Sequence, residues 1–188
     1  MKAKRQHFSI YNIAFIGVMA AIIYVLTMFR FPLLGSKVHF ANAMCLLSGL
    51  LFGPVGGGLA AGLGSALYDL LAGGYGIVEA LITLVSKFLM AFICAKVAGA
   101  DGETVKHGRI LAGCIIGALS YVALYMLKTF VFQRFVYGYP VDAVWVTMLG
   151  KLPASLINAD FAMLVAPVLY EAVRPALAKT GMLAKLQF

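Results

Sequence analysis

The 188-residue chain is 63% hydrophobic and 12% charged, with a net charge of +8 and a mean hydropathy of +0.96. Soluble domains carry roughly a quarter of their residues as charges, so this composition excludes a water-soluble globular domain and makes lipid the solvent of most of the chain. The basic excess does not imply a nucleic-acid partner, because the cations form no continuous basic patch.

Six apolar segments near the length that a bilayer demands, about 20 residues, follow one another in chain order. The first spans 9–29, after Lys2, Lys4 and Arg5. It is longer than the roughly 7–15 apolar residues of a secretory signal and no small-x-small site follows it, so it is expected to be retained. The second, 40–52, is short and ends at Gly53-Pro54, a turn signal that predicts a tight reversal. The third, 55–72, is rich in small residues; the fourth spans 77–97, the fifth 108–132 and the sixth 141–170. The expected fold is all-α: one domain over 1–188, a bundle of six transmembrane helices. Six spans put both termini and three basic clusters on one face: Lys2, Lys4 and Arg5; Lys96, Lys106 and Arg109; and Arg174, Lys179 and Lys185. The positive-inside rule makes that face cytoplasmic, and the same cations suit contact with anionic lipid.

Three connections fall on the opposite side. The stretch 30–39, RFPLLGSKVH, reads as an outward loop with two cations and a histidine; 73–76 is a glycine turn around Tyr75; and 135–140 contains two tyrosines. Connectors this aromatic fit a lid over a pocket, and an interfacial aromatic belt predicts the same composition. Cys45, Cys94 and Cys114 lie inside apolar runs at spacings that suit neither zinc nor a disulfide framework. His7, His39 and His107 are dispersed near the water interfaces, so no metal site is expected.

Small residues recur every four positions on two helices. Gly17 and Ala21 make such a pair on the first, with Ala14 and Ala20 nearby, and Gly58, Gly62 and Ala66 form a file on the third. Such faces let helix backbones approach closely in lipid. For the third helix this predicts burial inside the bundle; for the first, internal packing and docking to a separate subunit predict the same pattern.

Ionisable groups inside a membrane are costly, so each needs a reason. At about 100° per residue, Glu79, Thr83, Ser86 and Lys87 share one side of the fourth helix. Tyr121, Tyr125 and Lys128 form one stripe on the fifth. Thr147, Lys151, Ser155 and Asn158 form another on the sixth, with Trp145 above, while Tyr68 and Asp69 end the third. Together the stripes predict an outward-facing polar and aromatic chamber; a lysine that merely neutralises Asp69, Glu79 or Asp160 is the competing expectation. The chain has no P-loop, H-E-x-x-H or G-x-S-x-G, so it is not expected to be an enzyme, and any energy for active transport comes from elsewhere.

These features together resemble the substrate-binding S component of energy-coupling factor (ECF) vitamin transporters. The resemblance rests on a short six-helix chain with a basic N-terminus and a small-residue motif on its first helix. It rests also on LLFGPVGGGLAAGLGSALYDLL at 50–71 and GGYGIVEALITLVSKF at 73–88. It covers nearly the whole chain. It implies a monomeric subunit that binds a small-molecule vitamin ligand from outside and then joins a transmembrane coupling (T) subunit and two cytoplasmic ATPase subunits, toppling in the bilayer to deliver it. No cofactor is implied. The family docks through Ala-x-x-x-Ala on its first helix; Gly17 and Ala21 are the counterparts here, with Ala14 and Val18 beside them, a departure that keeps small size. The family's pockets form from the first outward loop and the outer parts of helices four to six. Carried over, that points to His39, Asn42 and Tyr75, then to Glu79, Thr83 and Lys87, to Tyr121, Tyr125 and Lys128, and to Trp145, Lys151, Ser155 and Asn158. The nearest branch, riboflavin, hydroxymethylpyrimidine and pyridoxine-like, implies a compact heteroaromatic ligand. A self-sufficient carrier or channel is the competing expectation.

Overall fold

The computed structural model describes residues 9–33, 36–100 and 105–182; the expected cationic positions Lys2, Lys4, Arg5 and Lys185, and His7, lie outside them. The elements are α1 (Ile10–Met28), β1 (Arg30–Leu33), β2 (Ser36–His39), α2 (Ala41–Leu71), α3 (Gly76–Ala98), α4 (His107–Val131), a π-helical turn (Phe132–Val136) and α5 (Val141–Lys179). Ser9 caps α1, its hydroxyl accepting from the Asn12 N–H at 3.3 Å. Among the described residues, five helices are long and apolar enough to cross a membrane. That is one fewer than the sequence count, because the segments 40–52 and 55–72 form two arms of α2.

The arms of α2 meet at Gly53, whose φ of 70° and ψ of −175° are not helical and are open almost exclusively to glycine. Pro54 follows, pre-set for the first turn of the next arm. The chain doubles back here. Ser48 Oγ donates to the Gly57 carbonyl at 2.9 Å, and Cys45 Sγ lies 3.9 Å from Ser65 Oγ. An unbroken helix rises about 1.5 Å per residue and would hold Cys45 and Ser65 about 30 Å apart.

Small residues make this hairpin the centre of the bundle. A Cβ added to Gly57 would run into the backbone of Ser48 and Gly49 on the other arm, one on Gly62 would lie 2.7 Å from the Leu84 carbonyl of α3, and one on Gly64 would strike the Ala20 carbonyl of α1. Across the α3–α4 contact, a Cβ on Gly113 would lie 2.6 Å from the Cys94 carbonyl. Cys45, Cys94 and Cys114 are buried in the apolar core with Leu46, Met90 and Ile110. The first helix is different. Asn12, Ile16, Met19, Ala20, Ile23 and Thr27 face inward, whereas Ala14, Gly17, Val18 and Ala21 are exposed, and a Cβ on Gly17 would meet nothing within 4 Å.

Two connections differ from the sequence expectation. Within the expected loop, Arg30–Leu33 and Ser36–His39 pair as an antiparallel β-ribbon, with Arg30 opposite His39 and Pro32 opposite Lys37. α5 runs on to Lys179 through Pro153, Pro167 and Pro175, past the expected end at 170. Helix direction gathers the ends of α1 and α4, the starts of α3 and α5, and both ends of α2 on one side. Lys96, Lys106, Arg109, Arg174 and Lys179 gather on the other, where His107 pairs with Glu171.

The packing predicts a contrast. Gly62→Val should destabilise the protein by about 1–3 kcal/mol through overpacking, and Gly17→Val by no more than about 0.5 kcal/mol. Thermal unfolding in detergent measures both; equal losses would contradict the close approach at Gly62.

Candidate functional site

A cavity of about 420 Å³ opens at the end where the helix termini gather, within the usual range of roughly 300–1,000 Å³ for small-molecule sites. Its roof is the β-ribbon. Antiparallel partners share a face and alternate residues do too, so the register places Arg30, Pro32, Lys37 and His39 together on one side. Arg30, Lys37 and His39 line the cavity. A two-stranded ribbon is marginal by itself, and Asn158 of α5 pins this one. Its side chain accepts from the His39 N–H at 2.8 Å and donates to the Lys37 carbonyl at 2.7 Å, completing the strand's outer edge like a third backbone.

The floor is built around Lys87 of α3, which is only 3% exposed. Its amine donates to Asn42 Oδ1 from the start of α2 and lies 3.6 Å from the centroid of the Tyr121 ring on α4. One wall is the Tyr121–Tyr125 pair, rings 6.4 Å apart and inclined by 24°. Lys128, one turn on, donates to Glu79 Oε2. Lys151 approaches from α5, its amine 5.9 Å from the Tyr125 ring.

At the mouth, Tyr75 receives Arg30 Nη1 at 2.9 Å and the Lys37 amine on the same oxygen. Arg30 also lies 4.9 Å over the Tyr68 ring. Burial, reinforced by the Lys87 and Arg30 cations, holds His39 down at about 3, so its ring is neutral. Its Nδ1 is buried with no hydrogen-bond partner among the described residues. Among the described residues, no three His, Cys, Asp or Glu side chains are close enough to hold a metal ion.

The three stripes read from the sequence converge on this space. Glu79, Thr83, Ser86 and Lys87 line it from α3, Tyr121, Tyr125 and Lys128 from α4, and Lys151, Ser155 and Asn158 from α5, with His39, Asn42 and Tyr75 closing it. Two expected members lie elsewhere. Trp145 is 53% exposed and packs 6.4 Å from Phe130, because position 145 on α5 is turned away from the face that carries Lys151. Thr147 hydrogen-bonds its own helix at the Ala143 carbonyl. The resemblance did not extend to Thr27, Arg30, Lys37, Ser65, Tyr68 or Asp69, all of which line the cavity. The period-2 signal in 30–39 that would have found Arg30 and Lys37 is masked when the stretch is read as a loop.

The chain is similar to known proteins in sequence and in fold. The chain is 38% identical over 104 residues to an uncharacterized protein in the gap 3′ region of Pyrococcus woesei, a match covering 54% of this chain and 66% of that relative, slightly under two thirds of its length. In fold it is similar to a solved structure described as the S component of a bacterial ECF transporter, with a TM-score of 0.69 and 20% identity over 88% of this chain and 96% of the other. The family model for the S component of ECF-type riboflavin transporters matches residues 7–175, nearly the whole of the helical bundle, and the chain belongs to that family.

Proposed function

We propose that this protein is the substrate-capturing subunit of an ECF importer. It binds a small heteroaromatic vitamin or precursor from outside, of riboflavin, hydroxymethylpyrimidine or pyridoxine type, and delivers it inward with a transmembrane coupling subunit and two ATPase subunits. The observation that carries this reading is the cavity itself: tyrosine rings for a flat ligand, convergent amines, amides and hydroxyls to orient it, all at one end of an apolar bundle. The orphaned His39 Nδ1 fits a polar atom of the ligand. In this reading the two arms of α2 count as two of six membrane helices. The end bearing Lys96, Lys106, Arg109, Arg174 and Lys179 faces the cytoplasm with both termini, in keeping with the positive-inside rule.

The small face of α1, Ala14, Gly17, Val18 and Ala21, serves as the docking surface for the coupling subunit, since it is exposed and a Cβ on Gly17 would meet nothing within 4 Å among the described residues. Mass spectrometry of a small molecule that copurifies tests the capture role. Uptake by the isolated chain in liposomes, without coupling and ATPase subunits, would instead identify a self-sufficient carrier.

Three outcomes follow from this assignment. Gly17→Leu or Ala21→Leu should abolish uptake by the assembled transporter and leave ligand affinity unchanged, since bulk there meets only the partner. Tyr121→Ala should weaken binding about tenfold, the scale of a lost aromatic contact, while Trp145→Ala should not alter the dissociation constant measured by calorimetry. His39 should contribute no titration step to affinity between about pH 5 and pH 8. A weakening below about pH 6.5 that His39→Gln removes would contradict its neutrality. The sign for folding is separate: His39 protonates near 6.5 when unfolded and near 3 when folded, so its contribution to stability is complete above the first value and shrinks as pH falls towards the second.

A further inference from the structure

The charges around the cavity do not balance. Arg30, Lys37, Lys87, Lys128 and Lys151 line it, against Asp69 and Glu79 alone. Glu79 is taken by Lys128, and Asp69 acts on Lys87 across the chamber. Arg30, Lys37 and Lys151 have no carboxylate within ion-pair distance among the described residues.

Arg30 and Lys37 are the unusual pair. Both donate to one atom, Tyr75 Oη, so two like charges sit a hydrogen bond away from the same oxygen. A neutral phenol offers two lone pairs and no countercharge. The ribbon register enforces this arrangement, because it turns both side chains to the cavity face, and Asn158 holds that ribbon through the Lys37 carbonyl and the His39 N–H. The Arg30 guanidinium carbon lies 4.9 Å from the centroid of the Tyr68 ring and 5.8 Å from that of Tyr75. The positive field is felt by neighbours: partial burial of the Tyr75 phenol opposes ionisation, yet the Lys37 and Arg30 cations hold it below the usual tyrosine range.

We propose that the captured molecule carries an oxyanion, a carboxylate or phosphate, which lies between the Arg30 guanidinium and the Lys37 amine at the cavity mouth while its ring lies against Tyr121 and Tyr125. A planar fork beside a mobile point charge is the pairing that recognises such groups. This inference rests on the capture reading. The chemistry is shared by a soluble substrate and by the phosphate of a lipid headgroup, and the experiment separates them.

The full chain is purified into phosphatidylcholine nanodiscs and into phosphatidylglycerol nanodiscs. It is titrated calorimetrically with three matched pairs: riboflavin and riboflavin 5′-phosphate, pyridoxal and pyridoxal 5′-phosphate, nicotinamide and nicotinate. The expected result is an anionic member that binds about tenfold or more tighter than its neutral partner in both lipids, with that ratio falling to near one in the Arg30→Gln, Lys37→Gln double variant. A neutral member that binds as tightly, a ratio that the variant leaves unchanged, or no binding from any pair overturns the proposal. A preference seen in phosphatidylcholine and lost in phosphatidylglycerol assigns the cations to a headgroup and also overturns it. The copurifying molecule keeps the two readings apart: a neutral vitamin identified by mass spectrometry leaves capture standing and removes the anion site, whereas a chain that carries no small molecule and binds none of the six loses both.

Discussion

A lysine amine sealed inside an apolar bundle is the constraint around which the rest of the molecule is arranged. Placing a charged side chain at membrane depth costs about 3 kcal/mol on insertion scales. A desolvated cation–π contact contributes about 2 kcal/mol and a charge-assisted hydrogen bond a similar amount. Lys87 has one of each, from Tyr121 on α4 and Asn42 on α2. Three helices must therefore converge at one depth, and the polar, aromatic chamber forms where they do.

That convergence depends on how closely backbones approach. Lipid supplies no hydrophobic contrast between helices, so close packing must come from side chains small enough to be absent. The doubled-back α2 supplies it on three sides at once, to its own first arm, to α1 and to α3. The lower part of the bundle is filled this tightly, and the cavity opens at the opposite end, where large polar side chains replace glycine and alanine.

The helices divide their faces between these tasks. α3 turns one stripe to the chamber and another to α2 and α4, and leaves Ile77, Val78, Leu81 and Val85 facing outward. α1 turns its inner stripe to the hairpin and leaves its small outer stripe, Ala14, Gly17, Val18 and Ala21, exposed. Under the proposed function, that bare stripe and the chamber have a common purpose, one face for a partner and one end for a solute.

Much of this was legible in the sequence. Hydropathy and helical period depend on residue order alone, so the apolar segments, the break at Gly53-Pro54, the small files and the three polar stripes could all be read before any coordinates. Periodicity also assigns residues to a side of their own helix, which is why Lys87, Tyr125 and Lys151 were expected to meet. What it leaves open is the rotation of each helix about its axis and the pairing of segments distant in sequence. Trp145 turned outward, the β1–β2 ribbon turned Arg30 and Lys37 inward, and Asn158 reached across more than a hundred residues to hold them there. Those outcomes were decided by tertiary packing, because only the assembled neighbours determine which side of an element is worth burying.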